Sequence, residues 1–263
     1  MTLPRRFVSA AAAIVLAPAL GGCALWRPVT VPIPTIRVPA PCPERPDTLL
    51  VMLPGSYSLP QEFATEGFID AVRRRGIAAD LLLVDAHVGY YSDRSIVARL
   101  RDDVVEPALG DGYRHIWLVG ISIGAFGALI YAEVQPRGID GIVALGPYLG
   151  KRALVEEIRA QGGLARWRAP TGMLDPGDID TIVWRWLQPY ALAPTPAARP
   201  LLFLGYGLDD RFGVSDDTLA AALPAERVFT TVGGHDWAPW RTLWNRVLDA
   251  VPLPRKSACV ALR

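Results

Sequence analysis

Ser122 is the side chain on which chemistry is most readily built. It lies in Gly120-Ile121-Ser122-Ile123-Gly124, between the apolar run 116–119 and the small-residue run 125–130. A serine at the tip of a sharp strand-to-helix turn holds its hydroxyl clear of the end of the sheet. Glycine two residues to either side removes the Cβ atoms that would collide where strand and helix nearly touch. The amide of Ile123, at the start of the helix, points to where an anion would form. The chemistry implied is acyl transfer, in which a hydroxyl attacks only as a base takes its proton. The pentapeptide also occurs by chance, so the rest of the chain must supply a base and an acid.

Three histidines are available. His115 opens the strand that carries Ser122 and lies about 20 Å away, at the wrong end of the sheet. His87 follows the strand 80–84 and stands at the carboxyl end, where ligands bind, so it is a second choice for the base and a candidate pocket residue. His235 follows the last strand at the same end, after two glycines that let the loop turn inward, and is the preferred base. For the acid, Asp209 and Asp210 both follow the strand 201–205. Asp85 is a remote third, and Asp175, Asp178 and Asp180 read as turn and capping residues.

The elements that position these groups alternate along the chain. Residues 49–53, 80–84, 115–120, 141–145, 201–205 and 227–232 read as buried strands. Residues 60–75, a stretch capped by Ser92 and running to 109, residues 124–135 and residues 236–251 read as helices. Apolar strands between amphipathic helices imply an α/β fold, a mostly parallel sheet with helices on both faces. Residues 151–200 break the rhythm. Their Trp167, Trp184 and Trp186 suggest a small helical cap insertion over the site, with an apolar acyl or aromatic group beneath it, although tryptophans also simply pack.

The order of strand, serine turn, helix, later acid and later histidine resembles the α/β-hydrolase superfamily. The resemblance rests on Pro54-Gly55-Ser56-Tyr57, Gly120-Ile121-Ser122-Ile123-Gly124, Gly207-Leu208-Asp209-Asp210 and Gly233-Gly234-His235-Asp236-Trp237. It implies a triad of Ser122, Asp210 and His235, with Asp209 as the alternative acid. The family's spacing from Gly207 favours Asp210. It also implies an oxyanion hole made by Ile123 N–H and a second amide from the loop after the first strand. That loop reads Pro54-Gly55 where the family often has His-Gly. The departure spares the backbone donor, which makes Ser56 the expected second amide and Tyr57 a possible pocket neighbour. The implied activity is hydrolysis of a carboxylic ester or thioester. An acyltransferase on the same triad and a non-catalytic envelope binding or assembly protein are the alternatives.

The leader has its own pattern. Arg5 and Arg6 precede an apolar stretch 7–20 that ends in Leu20-Gly21-Gly22-Cys23. This resembles the bacterial lipobox, which implies a signal peptide over 1–22 and acylation of Cys23. The implied location is the periplasm-facing cell envelope, with Ala24 leaning toward the outer membrane. Residues 23–47 carry seven prolines from Pro28 to Pro46 and read as a stiff linker lifting a hydrolase domain, 48–263, off the membrane. Cys42 and Cys259 either pair in that oxidising compartment or stay free thiols. With 263 residues, 51% of them hydrophobic, and a net charge of +1, the chain suits one sizeable core and gives no electrostatic case for nucleic acid. Neither a metal-ligand spacing nor a dinucleotide fingerprint is present, so no metal and no cofactor are expected.

Overall fold

The computed structural model describes residues 27–260, apart from 136, 194, 195, 197 and 198. The leader and Cys23 therefore lie outside the described residues. Seven strands form one sheet: β1 (Thr35–Val38), β2 (Thr48–Leu53), β3 (Asp80–Val84), β4 (His115–Ile121), β5 (Gly141–Leu145), β6 (Leu201–Gly207) and β7 (Val228–Thr231). Their order across the sheet is β1-β3-β2-β4-β5-β6-β7, and every pairing is parallel except β1 with β3. All six residues of β2 and all five of β3 and β5 are buried, as expected for central parallel strands covered on both faces.

The helices are α1 (Glu62–Thr65), α2 (Phe68–Arg74), α3 (Val88–Ser92), α4 (Ile96–Leu100), α5 (Glu106–Gly110), α6 (Ile123–Val134), α7 (Arg152–Ala160), α8 (Ile179–Leu187), α9 (Gly213–Ala220) and α10 (Trp237–Ala250). Alternate strand residues feed two cores. Leu50, Met52, Val119, Ile121 and Leu145 pack with Phe63 and Phe68 of α1 and α2 and with Trp240, Leu243 and Trp244 of α10. Leu49, Val51, Leu118, Ile142 and Leu204 pack on the opposite face with α3 to α9. Each large side chain fully buried there contributes about 1.5–3 kcal/mol. The spacing of Trp240, Leu243, Trp244, Val247 and Leu248 gives α10 one apolar stripe, and the Asp236 carboxylate starts the helix by accepting from Ala238 N–H at 2.9 Å.

Three readings of the sequence are corrected. The stretch 60–75 is two helices, because Gly67 takes a left-handed φ of 75° between them. Ser92 ends a helix rather than capping one. Arg94, at φ 64°, separates α3 from α4, and a π-helical turn (Arg101–Val105) joins α4 to α5. The proline-rich segment is not a free linker. Its prolines flank a four-residue strand, Pro34 before and Pro39 after, and leave Thr35–Val38 free to pair antiparallel with the edge of β3. Arg27 pairs with Asp85, Ile33 is buried with its amide on Asp103, and Ala40 N–H donates to Asp80. Cys42 and Cys259 form a disulfide with Cα atoms 4.3 Å apart, which ties this segment to the end of the fold.

Candidate active site

Ser122 stands between β4 and α6 at φ 55°, ψ −118°, a conformation that a non-glycine residue adopts only when its surroundings enforce it. Those surroundings are tight. A Cβ on Gly120 would lie 2.3 Å from the amide nitrogen of Ala125, and one on Gly124 would lie 2.2 Å from the carbonyl oxygen of Leu53. The start of α6 is thus pressed directly onto the ends of β4 and β2. Ser122 N–H donates to Leu145 O at 3.0 Å, and its carbonyl accepts from Tyr148 N–H at 3.1 Å. The strained residue is held from both sides.

Asp210 and His235 come from the loops after β6 and β7. Gly207 lets these loops meet, since a Cβ there would fall 2.2 Å from the carbonyl of Gly233. His235 Nε2 lies 2.9 Å from Ser122 Oγ, and His235 Nδ1 lies 2.8 and 3.0 Å from the two oxygens of Asp210. Asp210 Oδ1 also accepts from Phe212 N–H at 2.9 Å, which fixes the carboxylate before the imidazole is considered. The Phe212 and Trp240 rings stand perpendicular to the imidazole, with centroids 4.9 and 5.0 Å away and planes at 89°. The Asp210 side chain is fully buried and that of His235 is 9% exposed. Ser122 is itself buried, at 5% exposure, so all three hydrogen-bonded groups are largely withdrawn from solvent.

The two expected amide donors both lack competitors. Ile123 is the first residue of α6, so its N–H has no acceptor one turn earlier. Ser56 N–H meets no protein acceptor among the described residues. The loop that carries it is close to the serine, for a Cβ on Gly55 would sit 3.6 Å from Ser122 Cβ. Ile123 also lines a cleft of about 380 Å³ bounded by Tyr91, Ile96, Val97, Phe126, Ile130 and Tyr148, with Arg94, Lys151, Asp178 and Asp180 along its polar side. Burial pushes the phenol of Tyr148 upward, reinforced by Asp180, so it stays a neutral donor.

The expected pocket residues divide. His87 is buried and caps α3, its Nδ1 accepting from Gly89 N–H at 3.1 Å; burial and Arg27 lower its pKa, against the pull of Asp85. Tyr57 is exposed beside Ser56. Trp167, Trp184 and Trp186 belong to the core rather than to the cleft wall. Trp184 is fully buried and donates to Leu149 O at 2.9 Å, Trp167 donates to Glu157, and Arg199 covers the ring of Trp186. The insertion therefore packs against α6 and α9, and only Lys151 and its edge at 177–180 border the cleft. Asp209 is exposed and Asp85 is engaged by Arg27. His115, at the other end of β4, faces Asp140 at 3.4 Å beside a separate hollow of about 580 Å³. The residues that sequence reasoning missed are Tyr148, Phe212, Trp240 and Gly146. Tyr148, Phe212 and Gly146 lie on loops where no periodicity marks them, whereas Trp240 belongs to the apolar stripe of α10, whose spacing marks it for burial and not for contact with His235.

A search of family models finds no match, and neither does a search of curated proteins. Solved structures do match. S-formylglutathione hydrolase (FrmB) from Staphylococcus aureus is similar at TM-score 0.51 and 14% identity, over 78% of this chain and 81% of that one. FphF, a fluorophosphonate-binding serine hydrolase of the same organism, is similar at 0.51 and 16%, over 83% and 98%. The chain has the α/β-hydrolase fold. A hydrolase from Pseudomonas aeruginosa shares it at TM-score 0.50 and 16% identity, over 82% and 92%. At such identities the likeness concerns the fold, and the chemistry must be argued from the residues themselves.

Proposed function

We propose that this protein is a serine hydrolase that cleaves a carboxylic ester or thioester through an acyl-enzyme on Ser122. The observation that carries the reading is the unbroken line from Ser122 Oγ to His235 at 2.9 Å and on to Asp210 at 2.8 Å. In the first step Ser122 Oγ attacks the carbonyl carbon while His235 Nε2 takes its proton. Asp210, held by Phe212 N–H, keeps the proton of His235 on Nδ1 and stabilises the imidazolium. The tetrahedral oxyanion is received by Ile123 N–H and Ser56 N–H, each worth about 3 kcal/mol in other enzymes. His235 then protonates the leaving alcohol or thiol. Water enters, gives its proton to the same nitrogen, and releases the acid. The apolar wall beside Ile123 suits the acyl group.

The leader pattern and the disulfide support a second element of the reading: Cys23 is acylated and the protein works in the periplasm-facing envelope. A fluorophosphonate probe tests the chemistry. Folded wild type labels and Ser122→Ala does not. Equal labelling of the two, or none of the wild type, refutes the assignment. Product analysis with added alcohols then separates hydrolysis from transfer to an acceptor.

A further inference from the structure

The N-terminal segment determines which end of the molecule an anchor reaches. Arg27 is bonded to Asp85, the residue after β3, and donates to the carbonyl of Ser58 at 3.0 Å. Ser58 N–H in turn donates to Gly55 O, in the loop that touches Ser122. Arg27 is therefore fixed at the carboxyl end of the parallel strands, beside the active site. Four residue steps separate it from Cys23, which span at most about 14 Å whatever path they follow. The opposite end of the sheet is a further 20 Å or so away along β4. An acyl anchor on Cys23 therefore leaves from the active-site end and cannot draw the opposite end to the membrane.

Exposed apolar side chains occur at both ends of the sheet, and Leu109, Val134, Leu192 and Val260 are exposed toward the end the anchor cannot reach. At the active-site end Tyr57 is 71% exposed, Leu59 43%, Leu208 61% and Val232 80%. They come from three loops, those after β2, β6 and β7, which are the same loops that carry Ser56, Asp210 and His235. With the anchor leaving from this end, these four side chains are exposed apolar groups that lie on the side able to meet lipid. The rim's nearby charges are mixed, with Asp209 and Asp236 against Arg211, so contact is apolar and needs no anionic headgroup. We propose that this rim is a membrane-docking surface, so that Ser122 faces the bilayer and takes its ester from the lipid surface rather than from bulk water. The proposal rests on the serine hydrolase reading and on acylation of Cys23.

The test uses the full-length lipidated protein in vesicles of phosphatidylethanolamine and phosphatidylglycerol containing a photoreactive phospholipid. Crosslinks mapped by mass spectrometry are expected within 56–59, 208–212 and 232–236 and absent from 137–140 and 252–256. This readout requires no turnover. In parallel, the Leu208→Gln, Val232→Gln double variant is compared with wild type on two esters of the same leaving group, one water-soluble and one long-chain and embedded in the vesicle. The neutral substitutions are expected to lower the embedded-ester rate about tenfold and to leave the soluble-ester rate within about twofold. Crosslinks at the far end or evenly around the molecule overturn the proposal, as does a double variant that treats the two esters alike. An N-terminus whose mass shows no acyl chain also overturns it. Failure of both esters together with absent fluorophosphonate labelling overturns the hydrolase reading and with it the lipid ester, while the crosslink map still decides the docking surface.

Discussion

Gly146→Ala is the substitution that most sharply tests whether the site works by preplaced geometry. Gly146 follows β5 at φ +49°, and a Cβ there would lie 2.9 Å from Asp210 Oδ2, 2.9 Å from Trp240 Nε1 and 3.4 Å from His235 Nδ1. A methyl group needs about 3.4 Å or more, so one or both neighbours must retreat by roughly 0.5 Å. Asp210 has little room to do so, because Phe212 N–H and His235 hold it at 2.9 and 2.8 Å. The left-handed backbone adds about 1–2 kcal/mol, which a domain of ordinary stability survives. A misplacement of 1 Å at reacting groups costs about a hundredfold, so half of that predicts a fall in kcat of roughly ten- to a hundredfold. Gly112→Ala is the matched control. It has φ +92° and nothing within 4 Å of an added Cβ, so it carries a backbone penalty at least as large without the contact. Hydrolysis of a soluble ester and the rate of fluorophosphonate labelling are measured below the melting temperature of both variants. If Gly146→Ala folds and keeps kcat within twofold of wild type, or if Gly112→Ala loses as much activity, the reasoning fails.

Trp184→Ala, which removes a fully buried ring, is expected to cost about 3–5 kcal/mol in denaturant unfolding while leaving KM for a short ester unchanged, because the ring is core and not cleft. Replacing Cys42 and Cys259 by Ala opens a loop of sequence separation 217 and should lower stability by up to about 5 kcal/mol, read as a shift in denaturant midpoint. Asp216 on α9 is wholly buried, neither of its oxygens has a hydrogen-bond partner among the described residues, and its pKa is raised well above normal by burial, then by Asp210 and Asp217. Between the unfolded and folded pKa values the native state binds more protons than the unfolded one, so stability is full below the unfolded value and falls as pH rises toward the folded one, by at most about 1.4 kcal/mol per pH unit. Asp216→Asn should remove this loss, so its melting temperature gains on wild type as pH is raised from acid to neutral; a gain independent of pH refutes it.

The sheet was legible in the sequence wherever burial on both faces left an unbroken apolar run, as in 49–53, 80–84 and 141–145. β1 was hidden because its four residues lie inside a proline-rich stretch, and only the edge of β3 shows that the prolines fall outside the paired positions. Helix limits failed where one residue with positive φ, Gly67 or Arg94, broke an apolar periodicity that ran on through the break. Chain order put Ser122, His235 and the pair Asp209 and Asp210 at the same end of the sheet, along with His87; the glycines before His235 and the spacing from Gly207 that the family resemblance implies made the choice among them. The cleft could not, since its walls come from α3, α4, α6 and the edge at 177–180, which only tertiary packing brings together. The tryptophans of 151–200 misled for a physical reason: composition reports a large apolar area and not the direction it faces.

The bond between Cys42 and Cys259 also sets an order of events. The second cysteine is translated 217 residues after the first, behind all seven strands and α10. Under the export proposed above, the early thiol must wait, reduced or transiently paired, until the last of the sheet has crossed. Closure then certifies a finished chain. A truncated product lacking Cys259 would keep the Ser122 turn yet carry an unpaired Cys42, a chemical difference that separates the unfinished chain from the finished one.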